Sequence, residues 1–328
     1  MSWRSVWWRW QAWRHRQAGH YNAHTLRLFW RVWLDGRQPA ALVRLALFRR
    51  DLGRPLPQRW VASVAAALPD LPPALRHRAI GLLAEVAPHR LAGLKPAWLQ
   101  AASALPGVAA ALPTSASAPA SLSIASPPES SPAAFAAWLA SLADLVVVGN
   151  AASLRGSGLG AAIDAHAAVV RFNHWQQADA PASDIGTRCD VWVVSPGHQG
   201  PVPAGLRWAI VSGPDVAFQV RRWPLLDALQ AAGVPVLTVP LPIWRGLVAE
   251  LSAPPSAGVL ALAWLQALRP TGWQGVSVTG VGAGVQREAA AAHHIVRSGE
   301  RRVGQRHDWP AETALLVAWQ SQGLLRLR

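Results

Sequence analysis

Three separated segments of this chain carry residue types that can do chemistry together. The first is the run Leu145-Val146-Val147-Val148-Gly149-Asn150, which empties into Ala151-Ala152-Ser153-Leu154-Arg155-Gly156-Ser157-Gly158-Leu159-Gly160. Its apolar half reads as a buried strand, and backbone amides exposed at the turn that follows can hold a phosphate or a sugar. A short helix from Ala161 to Ala165 and a second strand ending in Arg171-Phe172-Asn173 come next. A dinucleotide site would place Gly-x-Gly-x-x-Gly at the first turn and an acid at the end of the second strand. Here the glycines come late, and Arg171 and Asn173 stand where the acid would. That disfavours NAD and leaves an NADP-type site open.

The second segment is Pro254-Pro255-Ser256-Ala257-Gly258, ahead of an apolar run from Val259 to Leu265 and a strand from Gly275 to Thr279 that ends in Gly280-Val281-Gly282. Prolines before small residues start a helix sharply; Ser256 can cap it, and amides at Ala257 and Gly258 can meet an anion. An ordinary capped core helix has the same pattern. The third segment is His293-His294, then His307-Asp308-Trp309-Pro310-Ala311-Glu312, running into a helix from Thr313 to Trp319. His307 sits just ahead of that helix, whose partial positive charge disfavours imidazolium, and a neutral imidazole is what a general base at neutral pH requires. Glu312 has a plain structural use in the first turn. A lone histidine is more often structural than catalytic, so the segments carry weight only as a set.

The elements that must position them alternate. Runs rich in Val and Ile at 145–148, 168–171, 191–194, 208–212, 235–239 and 276–279 predict strands, with helical patterns at 222–232 and 256–268 between some of them. Such alternation predicts an α/β fold with a mainly parallel, Rossmann-like sheet flanked by helices over 133–328. Residues 114–132, Ser-, Ala- and Pro-rich with one charge, predict a linker. Residues 20–113 predict an all-helical accessory domain with Pro-containing breaks near 55–57, 69–73 and 96. Within it, Val43, Leu45, Ala46 and Leu47, then Val61, Val64, Ala65 and Leu68, line apolar faces. Residues 1–19 form a separate basic helix. Trp3, Trp7, Trp10 and Arg14 fall about one turn apart, with Val6 and Trp13 nearby and Arg4, Arg9 and Arg16 mostly elsewhere on the wheel. Such a helix suits an anionic membrane surface; the alternative is that it docks its tryptophans on the rest of the protein.

Taken in order, the three segments resemble the motifs of glycosyltransferase family 29, the sialyltransferases. Gly149-Asn150-x-x-Ser153-Leu154-Arg155-Gly156-Ser157-Gly158-x-Gly160, with Ile163-Asp164-x-His166 and Val170-Arg171-Phe172-Asn173, is similar to the large sialyl motif, and Asp184 to Trp192 to the segment after it. Pro255-Ser256-Ala257-Gly258 through Gly282 resembles the small motif. His307-x-x-x-x-Glu312 resembles the very small one, and His293-His294 lies where the third motif falls. The resemblance spans 145–322. It implies a GT-A-like variant fold and metal-independent, inverting transfer of sialic acid from CMP-sialic acid to a glycan or glycolipid hydroxyl, with no cofactor. On that pattern His307 is the general base, and His293, with His294 close behind, supports the departing phosphate. Asn150, Ser153, Asn173, Ser256, Ala257, Gly258 and Gly282 hold the donor, and Glu312 braces the loop.

The departures matter too. Animal members join the large and small motifs by a disulfide, and Cys189 is the only cysteine here. Ser153 stands where many members have Asn, Ala257 replaces a common hydroxyl residue, and Pro254 takes the place of an aromatic one. CMP-Kdo therefore stays open beside CMP-sialic acid as donor. No apolar run approaches the ~20 residues that span a bilayer, and arginines interrupt any signal-peptide core. These points suggest a bacterial member in the cytoplasm, peripheral at the inner membrane if residues 1–16 bind it. The net charge of +14, carried by arginine apart from Lys95, suits phosphate or lipid headgroups and also fits a biased genome. No nucleic-acid partner is expected, although a non-enzymatic basic protein that binds nucleic acid or membrane is the competing class.

Overall fold

The computed structural model describes residues 3–103, 131–177, 180–195, 197–212, 225–281 and 307–327. The chain divides into two compact units. One comprises Met1–Ile124, Pro214–Arg222 and Val248–Ala253; the other comprises Ala125–Gly213, Trp223–Leu247 and Pro254–Arg328.

In the first unit the helices are α1 (Trp3–Gln17), α2 (Ala23–Gly36), α3 (Pro39–Asp51), α4 (Gln58–Ala67), α5 (Pro73–Val86) and α6 (Pro96–Ser103). Prolines set several starts: Pro39, Pro73 and Pro96 open α3, α5 and α6, where a missing N–H costs nothing. Asn22 caps α2 by accepting from the Thr25 amide at 3.0 Å. Val43, Val61, Val64, Leu68, Ile80 and Leu83 form the centre of the core. Buried Arg50 on α3 is compensated by Asp51 and, across on α5, by Glu85.

The second unit is built on seven strands: β1 (Leu145–Val148), β2 (Val169–Phe172), β3 (Val191–Val194), β4 (Trp208–Val211), β5 (Val236–Thr238), β6 (Val276–Thr279) and β7 (Leu325–Arg326). Their order across the sheet is β5-β4-β3-β2-β1-β6-β7, and every pairing is parallel. β1, β2, β3, β4 and β6 are buried throughout, as expected of a parallel sheet covered on both faces. The helices are α7 (Pro132–Ser141), α8 (Gly160–Asp164), α9 (Ala182–Ile185), α10 (Leu226–Ala231), α11 (Leu241–Leu251, which runs on into the first unit), α12 (Ala257–Leu268) and α13 (Trp309–Ser321). Phe135 of α7 sits between Trp208 and Trp264, at 5.1 and 5.5 Å between ring centres. Leu154, Ile163 and Ile185 pack against Val146, Val148 and Val169 of the sheet.

The stretch 114–132, expected as a linker, lies outside the described residues except for its end, where Ser131 caps α7 and Pro132 is its first residue. Two details differ from the sequence expectations. α13 starts at Trp309 rather than Thr313, because the Asp308 carboxylate accepts from the Ala311 amide at 3.1 Å and Pro310 fits the first turn. The two-residue strand β7 carries no sequence signal of its own and exists by pairing with β6. No helix among the described residues is long and apolar enough to cross a membrane.

Candidate active site

The strand order reverses at β1. From β1 the chain moves outward through β2 to β5, then returns to place β6 on the other side of β1. Ligands of open α/β sheets bind in the crevice outside the carboxyl ends of the strands at such a point. Because all strands are parallel, the helices that feed β6 and β7 must begin at this same edge. The loop after β1, the start of α12, the end of β6 and the start of α13 are thereby gathered at one edge from positions up to 160 residues apart in sequence.

Glycines make the close approaches there. A Cβ on Gly149 would lie 2.0 Å from the Gly280 carbonyl oxygen, so only glycine lets the ends of β1 and β6 meet. The Gly149 amide donates to Thr279 at 2.9 Å and the Ala151 amide to Gly280 at 3.2 Å. Gly258, in the first turn of α12, sits against Val281 just after β6, where a Cβ would come within 2.8 Å of a methyl group.

His307 is held by this edge. Its Nδ1 lies 2.8 Å from the carbonyl oxygen of Pro254. A carbonyl can only accept, so Nδ1 carries the proton of the neutral ring and Nε2 keeps its lone pair. The side chain is 26% exposed, which leaves the ring within reach of a ligand. Further along the same segment, Glu312 is fully buried and its Oε1 accepts from the Ser256 amide at 2.6 Å. The same oxygen is 4.0 Å from His307 Nδ1. Burial pushes the Glu312 carboxyl up to about 7, opposed by its hydrogen bond from Ser256. The Ser256 hydroxyl meanwhile caps α12, accepting from Val259 at 3.4 Å. Two hydrogen-bonded pairs, Pro254 with His307 and Ser256 with Glu312, thus lie side by side, 4.0 Å apart at His307 Nδ1 and Glu312 Oε1.

The glycine-rich loop behaves differently from its sequence expectation. The amides of Gly156 and Gly158 do not stand open to a phosphate: both donate to the carboxylate of Asp184, at 2.6 and 3.0 Å. The loop is satisfied by an anion of the protein's own. Gly160 begins α8 where a Cβ would lie 1.9 Å from the Ala182 carbonyl oxygen. Asp164, at the end of α8, accepts from the Thr187 and Arg188 amides, and Arg188 reaches back to the carbonyls of Asp164 and His166, each at 2.7 Å. Asp164, Asp184 and Arg188 therefore tie the large-motif loop to the segment 184–190. Sequence reasoning quoted all three without a role; the signal was a run of charges in an otherwise apolar stretch.

Arg171 is not available to a cofactor phosphate either. It is buried, donates to the carbonyls of Ile185 and Arg188, and lies 4.7 Å over the Trp175 ring. Burial lowers its guanidinium to about 10. That geometry takes Arg171 away from an NADP-type phosphate. Cys189 is buried, its thiol pushed up to about 12, and is chemically quiet.

Of the expected donor-binding residues, Asn150 lies half-buried after β1, its amide donating to the Phe172 carbonyl at 3.0 Å. Asn173 adopts a left-handed backbone (φ 45°), and its side-chain oxygen accepts from the Ser195 amide at 2.9 Å. The pair braces the carboxyl ends of β1, β2 and β3. Ser153 is exposed in the 3₁₀ turn Ala152–Leu154. Ser256, Ala257 and Gly258 are half-buried around the start of α12. Gly282, His293 and His294 lie outside the described residues. Among the described residues no group of three or more His, Cys, Asp and Glu side chains is arranged to hold a metal ion.

Comparison with known proteins adds a family. Residues 125–201 match the model of Glycosyltransferase family 29 (sialyltransferase). The match takes in the large-motif loop and the segment after it, and ends before Pro254 and His307. Two solved structures of a mammalian sialyltransferase are similar at 19% and 20% identity. Each covers 57% of this chain, with 70% and 69% of their own chains matched, at a TM-score of 0.42. The first of them is in complex with Gal-beta-1-3GalNAc-ortho-nitrophenol. No curated protein matches the chain. The resemblance carried by the motifs is borne out over residues 125–201, the part of the chain that matches the model of the sialyltransferase family.

Proposed function

We propose that this protein transfers sialic acid from CMP-sialic acid to a glycan hydroxyl, with inversion and without a metal ion, on a GT-A-like variant fold. One observation carries the choice of base: the Pro254 carbonyl fixes the proton of His307 on Nδ1, so that Nε2 is the basic nitrogen of the neutral ring. In the proposed step the acceptor hydroxyl gives its proton to Nε2 as its oxygen bonds to the anomeric carbon. The bond from that carbon to the phosphate oxygen breaks, and CMP leaves with the electron pair. The imidazolium then loses its proton to solvent. Negative charge grows on the phosphate as the bond breaks. The amides at the start of α12 and a histidine at 293 or 294 are the groups we assign to receive it.

A thermal-shift titration with CMP, CMP-sialic acid, CMP-Kdo and NADPH, with EDTA present, tests the proposal. A ligand that binds only the native state raises the melting temperature. Stabilisation by CMP and by CMP-sialic acid is the expected result. A response to CMP-Kdo alone among the sugar nucleotides would move the donor, and no response to any cytidine ligand would overturn the reading. Release of CMP on adding a glycan acceptor is the catalytic counterpart.

A further inference from the structure

Helix α1 is built inside out for a water-soluble protein. Trp3, Val6, Trp7, Trp10 and Trp13 occupy one arc of the helix, and all are exposed, Trp3 at 91% and Trp13 at 59%. The side turned to the rest of its unit holds buried Ala12 and the half-buried Trp8, Arg9, His15 and Arg16. A surface helix ordinarily buries its apolar stripe and exposes its charges. Here the tryptophans of the arc are not buried against the described residues of their own unit. On the neighbouring helix α2, Trp30 and Leu34 are also exposed, one turn apart.

Arg14 continues the stripe at its carboxyl-terminal end, its guanidinium 5.2 Å over the Trp10 ring, and Arg31 of α2 lies 4.5 Å over the half-buried Trp8. No acidic residue interrupts α1, from Trp3 to Gln17. We infer that the exposed tryptophan face of α1 is a docking surface for an anionic lipid bilayer, with the helix lying flat in the headgroup region. Tryptophan is the side chain enriched at that depth, where its ring faces acyl chains and its N–H reaches water. Arginines at the edge of the stripe meet lipid phosphates, and the stem of each packs along the apolar boundary. A helix of this length spans about 22 Å, enough to lie along a surface and too short to cross it. A nucleic-acid partner fits less well, because single strands stack their bases on aromatic platforms in a basic groove rather than on a helical stripe.

The test is flotation of the full chain with vesicles of phosphatidylcholine alone and of phosphatidylcholine mixed with phosphatidylglycerol. The wild type should float with the mixed vesicles and weakly with the neutral ones. The variant carrying Trp3→Ser, Trp7→Ser, Trp10→Ser and Trp13→Ser should lose at least tenfold in binding with its melting temperature unchanged, since these side chains support no core. Should that variant melt early, single Trp3→Ser and Trp13→Ser variants, each with a severalfold loss expected, decide the matter instead. Arg14→Glu should weaken binding to the mixed vesicles only. Equal binding by wild type and variants would overturn the inference. So would absence of vesicle binding, or tryptophan-dependent self-association or RNA binding in its place.

Discussion

Two turns at the carboxyl edge of the sheet present similar amides and meet opposite fates. Around Gly156 and Gly158 the amides are consumed by Asp184, and the loop becomes a clasp between the large motif and the chain that follows it. Around Ser256 its own amide goes to Glu312 and the Val259 amide to the Ser256 hydroxyl, while Ala257 and Gly258 stay half-buried on the same edge as His307, which donates to Pro254. The lesson is about partners. A glycine-rich loop offers donors, but whether they are a ligand site depends on whether the fold sends a carboxylate to them first. Here Asp184, 26 to 28 residues further along the chain, takes both glycine amides of the first turn, whereas at the second Glu312 takes the Ser256 amide, ahead of Ala257 and Gly258.

If the first turn is scaffold and the second is chemistry, variants of the two should separate stability from turnover. The largest effect should come from Gly160→Ala, whose methyl group has no room against the Ala182 carbonyl oxygen. We expect a loss of about 3 kcal/mol or more, measured by chemical denaturation. A wild-type midpoint would show that the α8–α9 contact is not the anchor described. Next, His307→Ala should lower turnover at least ~100-fold, about 2.7 kcal/mol in the barrier, with CMP affinity and melting temperature little changed. Turnover near wild type would place the base elsewhere.

Glu312→Gln probes the same cluster through pH. The folded carboxyl titrates at about 7, above its ordinary value of 4.5. The native state therefore holds the proton more tightly than the unfolded chain does. This contribution to stability is fully present below pH 4.5 and is lost as pH rises through about 7. Relative to the variant, the wild type should weaken between those values by on the order of 1–3 kcal/mol and run parallel to it above them. Parallel stability curves across the whole range would refute the burial argument. The smallest effect is expected of Asp184→Asn, which keeps one acceptor and loses the charge. A stability loss of about 1 kcal/mol with unchanged CMP affinity is the prediction. A change in CMP affinity larger than the change in stability would return the glycine loop to the ligand site.

Much of the sheet was legible from residue type. Runs of Val and Ile buried on both faces admit few alternatives, and 145–148, 191–194 and 276–279 fold as strands over those same residues. The start of α12 was equally plain, since proline and serine act through their own backbone and hydroxyl, and Ser256 caps the helix as expected. Less was legible where a residue's role depends on something distant. Asp184 has no local pattern that marks it as the partner of two glycine amides, and Pro254 reads as part of a helix start rather than as the carbonyl that orients His307. Arg171 ends a strand in the place of a ligand-facing acid, yet it points into the core, where two carbonyls and the Trp175 ring receive it.

By itself, then, the sequence determined the alternation of elements, the motifs and their order, because these depend on hydropathy and on the backbone preferences of Gly, Pro and Ser within a few residues. Only the tertiary structure decided which amides are spent, which nitrogen of His307 carries the proton, and that the tryptophans of α1 are exposed. Each of those is a pairing between groups far apart in the chain, settled when the parallel sheet and the helical core bring them within hydrogen-bonding or packing distance.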